Sequence, residues 1–228
     1  TPTRKDGMHF LMFDTFGEIS VAIGDNELKD RITDFEYEFV VFPGQYHVPG
    51  RKFFRKSQGG MDIDYNQAID FLINSEERNN LILNKVSNDI NNGYKVLVLT
   101  YRTEHAYTLY NSLKEKYKGH LIIGDVTSKI DFQAIRADME FQFIVANRAI
   151  AEEGLDIPHL SSLHIVLPST NMQKIKQQLG RIRRFFDGKN HPKLTDYKDT
   201  GVTCSVYDTS GSVSLVNILE VSAKKRES

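Results

Sequence analysis

The run QQLGRIRRFF, residues 177–186, sets three arginines within four positions directly behind a glycine. Gly180 stands inside a stretch where Met172, Ile175, Leu179 and Ile182 recur at three- and four-residue steps. That spacing predicts a helix over 171–185. A glycine inside a helix costs about 1 kcal/mol against alanine, so its presence points to the close approach of another group. Arg181 and Arg184, three apart, share a helix face, and Arg183 points elsewhere. Two guanidinium groups on one face can hold a triphosphate by paired, charge-assisted hydrogen bonds. On charge alone the stretch reads equally well as a surface helix paired with acids elsewhere.

A second run, VANRAIAEEGLDIPHL at 145–160, takes a strand to Asn147 and a helical stretch to Gly154, with Asp156 and Pro158 beyond. Backbone N–H groups at a strand–helix junction form an anion site. Gly154 permits close approach, and Asp156 can bind a ribose hydroxyl or orient an arginine. A third run, RKFFRK at 51–56, interleaves Arg51, Lys52, Arg55 and Lys56 with Phe53 and Phe54. Bases with aromatics between them can follow a phosphate backbone and stack on nucleobases. Taken alone, the cluster reads as a solvated surface loop.

The elements that must position these groups alternate. Apolar and β-branched runs predict strands over 35–42, 95–101, 120–126, 141–147, 163–168 and 203–208. Helical spacing lies between them: two helices within 64–91, broken near Asn74–Ser75, then 103–117, 129–138, 171–185 and 212–223. Such alternation predicts an α/β fold with a mostly parallel sheet and helices on both faces. Ligands of such sheets sit at the carboxyl ends of strands, which directs attention to the loops after 101, 124, 147 and 168. Residues 43–62, rich in Pro and Gly, read as a long loop or small excursion from the sheet.

Composition excludes several classes. With 228 residues, 40% hydrophobic and 26% charged, the chain is ordinary for a globular domain and unlike a disordered tail, a collagen or a coiled-coil rod. No apolar run approaches the roughly 18 residues of a membrane helix. The lone Cys204 cannot form an internal disulfide, which suits a reducing cell interior rather than secretion. The seven histidines show no ligand spacing with Cys or acids, so no metal site is expected. The net charge of −1 hides two local extremes: an acidic 18–38 and a basic 171–193.

Taken together, the first two runs resemble the C-terminal, second RecA-like domain of superfamily 2 helicases. Gln177, Gly180, Arg181 and Arg184 look like motif VI, Gln-x-x-Gly-Arg-x-x-Arg, and ANRAIAEEGLDIP looks like motif V. KVLVLTYRTEHAYTLYNSL looks like motif IV, and HLIIGDV resembles the family's next strand. The opening TPTRKDG looks like the tail of motif III, with Thr1 as that motif's last residue. The style is that of phage, large-DNA-virus and repair-type duplex helicases. Asn147 stands where the family usually has Thr.

The resemblance implies a RecA-like three-layer fold and a two-part organisation. Residues 1–34 would be the exit from a first RecA-like domain and a linker, and 35–228 the second domain, with the basic–aromatic loop at 43–62. It implies ATP with Mg²⁺, bound mainly by an N-terminal RecA-like domain. Arg181 and Arg184 would be the catalytic arginines. Gln177, Gly154, Asp156 and Gly180 would line the nucleotide side. Nucleic acid would be gripped by Tyr101, Arg102, Thr103, Gly124, Asp125, Asn147 and Arg148, with Arg51, Lys52, Arg55 and Lys56 as an extra grip or wedge. Packing is the plainer reading for Tyr101, a solvated charge for Arg102 and a loop cap for Asp125. The partner would be DNA, as a single strand or fork, with RNA the second candidate, and no membrane. The sequence contains neither Gly-x-x-x-x-Gly-Lys-Ser/Thr nor Asp-Glu-x-His, and phosphoryl transfer needs both a phosphate cradle and a metal. The chain alone is therefore expected not to hydrolyse ATP. The competing readings are a non-enzymatic nucleic-acid-binding module and a domain that binds a small nucleotide by itself. The latter would want a Gly-rich loop after 95–101, where Arg-Thr-Glu stands instead.

Overall fold

Eleven strands and five helices follow one another along the chain among the described residues. They are β1 (Glu36–Phe42), β2 (Tyr46–Pro49), β3 (Phe54–Ser57), β4 (Gly60–Ile63), α1 (Tyr65–Ile73), α2 (Glu76–Asn91), β5 (Val96–Thr100), α3 (Thr103–Leu113), β6 (Gly119–Ile122), α4 (Phe132–Ala137), β7 (Phe143–Asn147), β8 (Ser162–Ile165), α5 (Met172–Ile182), β9 (Lys193–Asp199), β10 (Val202–Ser205) and β11 (Ser212–Ser214). The structure, a computed structural model, describes residues 33–42, 46–49, 54–57, 60–63, 65–124, 132–147, 157–167, 172–199, 202–205 and 212–214.

Six strands form one open sheet in the order β1-β9-β8-β5-β7-β6. Every neighbouring pair is parallel, with Val98 of β5 opposite Val145 of β7 on one side and His164 of β8 on the other. Strand β5 is buried along its whole length, and its alternation serves two cores. Val96 and Val98 join Ile69 and Leu72 of α1, Ile82, Val86 and Ile90 of α2, and Leu109 of α3. Leu97 and Leu99 join Leu160, Leu179 and Ile182. Helices α1 to α3 thus cover one face, and α5, with Phe132 and Ile135 of α4, covers the other. This is the expected three-layer α/β arrangement, because a strand covered on both sides must be apolar on both.

Local chemistry accounts for the element ends. The break between α1 and α2 falls at Asn74–Ser75, where the Ser75 hydroxyl accepts the Arg78 N–H at 3.3 Å and Glu76 and Glu77 occupy the first turn. An N-cap hydroxyl and first-turn acids are what a helix start requires. At Gly119 a β-carbon would lie 2.4 Å from the Phe143 ring, so β6 and β7 approach at a point where only glycine fits.

Three segments fold differently from the sequence expectation. Residues 43–62 are not simply a loop: β2 pairs parallel with β10, and β3 pairs antiparallel with β4 in a sheet of their own. Residues 212–214 form a strand paired antiparallel with β10 rather than the start of a helix, as their β-branched and Ser content allows. Strand β9 lies in the middle of the sheet where no strand was predicted.

Candidate functional site

The basic helix and the turn after it carry the first group of candidates. Leu179 and Ile182 of α5 are buried, Gly180 and Arg181 are half-buried, and Gln177 and Arg184 are exposed. A β-carbon at Gly180 would meet nothing within 4 Å. The close approach expected from the glycine is therefore not made by any described residue. The helix ends at Ile182, two residues before Arg184. Arg181 and Arg184 consequently do not share a helix face. Arg184 sits in a turn closed by its own N–H on the Arg181 carbonyl at 3.3 Å.

Arg183 does point elsewhere. Its Nε donates to the Thr33 carbonyl at 2.8 Å, its carbonyl accepts the Thr33 N–H at 2.9 Å, and its guanidinium lies 5.4 Å from the Phe35 ring centre. It anchors the basic turn to the entry of β1. Lys189, to which the sequence reading gave no role, braces the same turn from below through three backbone carbonyls. Nothing in its sequence context beyond a preceding glycine marked it.

The second group gathers at the carboxyl ends of three adjacent strands, β5, β7 and β6. Thr100 and Asn147 are register partners, as are Ile122 and Ala146. Tyr101, Arg102 and Thr103 follow β5, Asn147 ends β7, and exposed Gly124 lies just past β6. The Asn147 side-chain amide donates to the Thr103 hydroxyl at 3.4 Å. Tyr101 packs partly against the core. Arg102 is not simply solvated: one of its Nη atoms lies 3.1 Å from Asn66 Oδ1 and 3.1 Å from Asp70 Oδ1, both on α1. Gly154, Asp156, Asp125, Arg148, Arg51 and Lys52 lie outside the described residues. Arg55 and Lys56 belong to β3.

A buried polar relay holds the end of β5 in place. His105 of α3 bonds through Nε2 to Asn79 Oδ1 and through Nδ1 to the Thr100 hydroxyl, each at 3.0 Å. The Asn79 amide donates to the Ile73 carbonyl at 2.8 Å. With Asn79 presenting its oxygen, Nε2 carries a proton, and in the neutral ring Nδ1 accepts from the Thr100 hydroxyl. Burial, helped by the nearby Arg78 charge, pulls its pKa down to about 3 from 6.5. An unfolded chain binds the proton near pH 6.5 and the folded chain does not. Stability is thus full above about pH 6.5 and falls on acidification, by about 1.4 kcal/mol per pH unit for this group. His105→Gln should show a shallower loss of stability between about pH 6 and 4 in urea unfolding. An unchanged slope would show that His105 is charged in the folded state.

Parallel strands covered by helices on both faces, with a basic helix after β8 and polar loops at three strand ends, define a RecA-like α/β domain. Residues 77–186 match the helicase conserved C-terminal domain family. The matched stretch runs from α2 to the turn after α5. It is similar to the probable helicase D10 of Escherichia phage T5, at 26% identity over 200 residues, covering 86% of this chain and 41% of that protein. It is also similar to the transcript termination protein A18 of fowlpox virus (strain NVSL), at 31% identity over 111 residues, covering 47% of this chain and 24% of that protein. In fold it resembles T4 UvsW, with a TM-score of 0.58 at 17% identity over 85% of this chain and 38% of that one. The chain thus spans about a quarter to two fifths of the length of these curated relatives.

Proposed function

We propose that this chain is the C-terminal motor half of an ATP-dependent DNA helicase or translocase, with residues 35–228 as its second RecA-like domain and 1–34 as the exit from a first. The observation that carries the reading is the turn after α5. Exposed Arg184 and half-buried Arg181 stand close to Gly180, within the stretch matched to the helicase family. Gly180 itself places no side chain between the helix and a second domain holding ATP and Mg²⁺. Arg181 and Arg184 then supply fixed positive charge where negative charge develops during phosphoryl transfer. Gln177, Gly154 and Asp156 couple that nucleotide side to the domain interface.

The strand-end cluster supplies the grip. Tyr101, Arg102, Thr103, Gly124, Asp125, Asn147 and Arg148 hold one nucleic-acid strand by its phosphates, which carry no sequence information. A phosphate at Arg102 must compete with Asp70 and Asn66. The basic residues Arg51, Lys52, Arg55 and Lys56 serve as a further grip or strand-separating wedge beside the β3–β4 pair. Closing and opening of the cleft moves this domain, and with it the gripped strand, relative to the first. The work takes place inside a cell infected by, or carrying, the encoding genome.

The test is strand displacement by the full-length protein. A forked DNA duplex is expected to be unwound with ATP and left intact without it, and an RNA fork to be unwound more slowly. Equal displacement without ATP would contradict the motor reading and favour a passive nucleic-acid-binding module.

A further inference from the structure

Five residues past Arg184 the chain doubles back. Gly188 adopts a left-handed backbone with φ +73°, and the Lys189 N–H closes the turn on the Phe186 carbonyl at 3.3 Å. This reversal sends the Lys189 side chain back beneath α5. Its ammonium donates to the carbonyl oxygens of Pro158 at 2.9 Å, Ile182 at 2.5 Å and Arg184 at 3.1 Å. An ammonium has three protons, and all three are used. Two of the acceptors belong to the end of α5 and the residue pair beyond it, where the helix carries partial negative charge that favours a cation. The third belongs to Pro158, the last residue of the ANRAIAEEGLDIP run. Phe186 seals the same corner, its ring 5.8 Å from His159, which lies 5.0 Å from Phe141.

The consequence concerns Arg184. It stands beyond the last residue of α5, where its N–H makes a long turn bond of 3.3 Å to the Arg181 carbonyl in place of an α-helical one. A guanidinium acting on a transferring phosphoryl group must emerge from a fixed point, since a displacement of about 1 Å can cost about 10²-fold in rate. We infer that Lys189 is a positioning residue: it fixes the main chain of Arg184 and ties the exit of motif V to the exit of motif VI. The inference rests on the proposed role of Arg184. Burial pulls the Lys189 pKa down to about 8, and three carbonyl dipoles take the place of a carboxylate.

Lys189→Met keeps the length and apolar bulk of the side chain and removes every donor. In the full-length protein its DNA-stimulated kcat for ATP is expected to fall by about 10- to 100-fold. KM for ATP and affinity for single-stranded DNA should stay within about twofold, because a group placed for the transition state leaves ground-state binding alone. Wild-type kcat in this variant would overturn the inference. So would a loss of DNA affinity and a rise in KM alongside kcat, which would make Lys189 a general support of the fold. Arg184→Ala, measured in parallel, separates the two levels. If it collapses turnover while Lys189→Met does not, only the role of Lys189 falls. If Arg184→Ala keeps wild-type turnover, the motor reading falls and the inference with it.

Discussion

Arg78→Met is expected to lower the unfolding free energy by about 3–5 kcal/mol, because it strands a buried carboxylate. Arg78 lies on α2 and is completely buried. Its Nε donates to Asp199 Oδ1 at 2.7 Å, and one Nη donates both to Asp199 Oδ2 at 3.1 Å and to the Val166 carbonyl at 2.8 Å. One guanidinium therefore pins α2 to the ends of β8 and β9, the strands on either side of the connection that carries the basic helix. Methionine fills much the same space but leaves Asp199, itself buried, with no counter-charge in a medium of low dielectric. The double variant Arg78→Met, Asp199→Asn should recover part of the loss, since the cost lies in the unpaired charge rather than in the missing pair. Urea unfolding measures both. A single-variant loss below about 1 kcal/mol would mean that water reaches Asp199 and the pair is not a buried one.

The same pair explains what could and could not be read in advance. The apolar runs of β5, β7 and β8 were legible as strands because burial on two faces forces apolar residues throughout, and the break at Asn74–Ser75 was legible as well. Strand β9 was not. Its sequence, KLTDYKD, violates that rule, since a strand in the middle of a parallel sheet is normally apolar. The charges at its two ends, Lys193 and Asp199, are tolerated because each meets a distant partner. Lys193 bonds Asp89 at 2.9 Å and faces Glu38 at 2.9 Å, while Asp199 meets Arg78. Pairings across a hundred residues leave no local trace in a sequence. Phe54–Ser57 and Gly60–Ile63 were masked by their Pro- and Gly-rich surroundings, although only Gln58 and Gly59 separate them, a spacing that suits a hairpin.

For the candidate site, the position of each candidate along the chain was legible and the local geometry was not. Composition brought out Gly180, Arg181 and Arg184, the motif VI resemblance added Gln177, and strand order put Tyr101, Arg102, Thr103, Gly124 and Asn147 at one end of the sheet. Periodicity carried the helix to residue 185, three residues too far, and so assigned Arg184 to a helix face. Apolar spacing does not register where backbone bonding stops; here a turn at Arg183 and Arg184 ends it. The engagement of Arg102 by Asp70 and Asn66 was equally hidden, because it depends on how α1 packs beside α3.

Arg184→Ala in the full-length protein is expected to lower ATP turnover by about 10³-fold or more, the scale on which an arginine stabilises phosphoryl transfer across a domain cleft. In the proposed role KM for ATP should change little, because a charge that develops only in the transition state leaves ground-state binding alone. Arg183→Ala should have a far smaller effect on turnover, since Arg183 is spent on Thr33 and the Phe35 ring. Steady-state ATP hydrolysis by the full-length protein and its Arg184→Ala variant, with and without single-stranded DNA, tests the proposed role of Arg184 most directly. The expected result is wild-type turnover that rises on adding DNA and a variant that stays near background in both conditions. A variant that hydrolyses ATP at the wild-type, DNA-stimulated rate would contradict the assignment of this domain as the half that completes the nucleotide site.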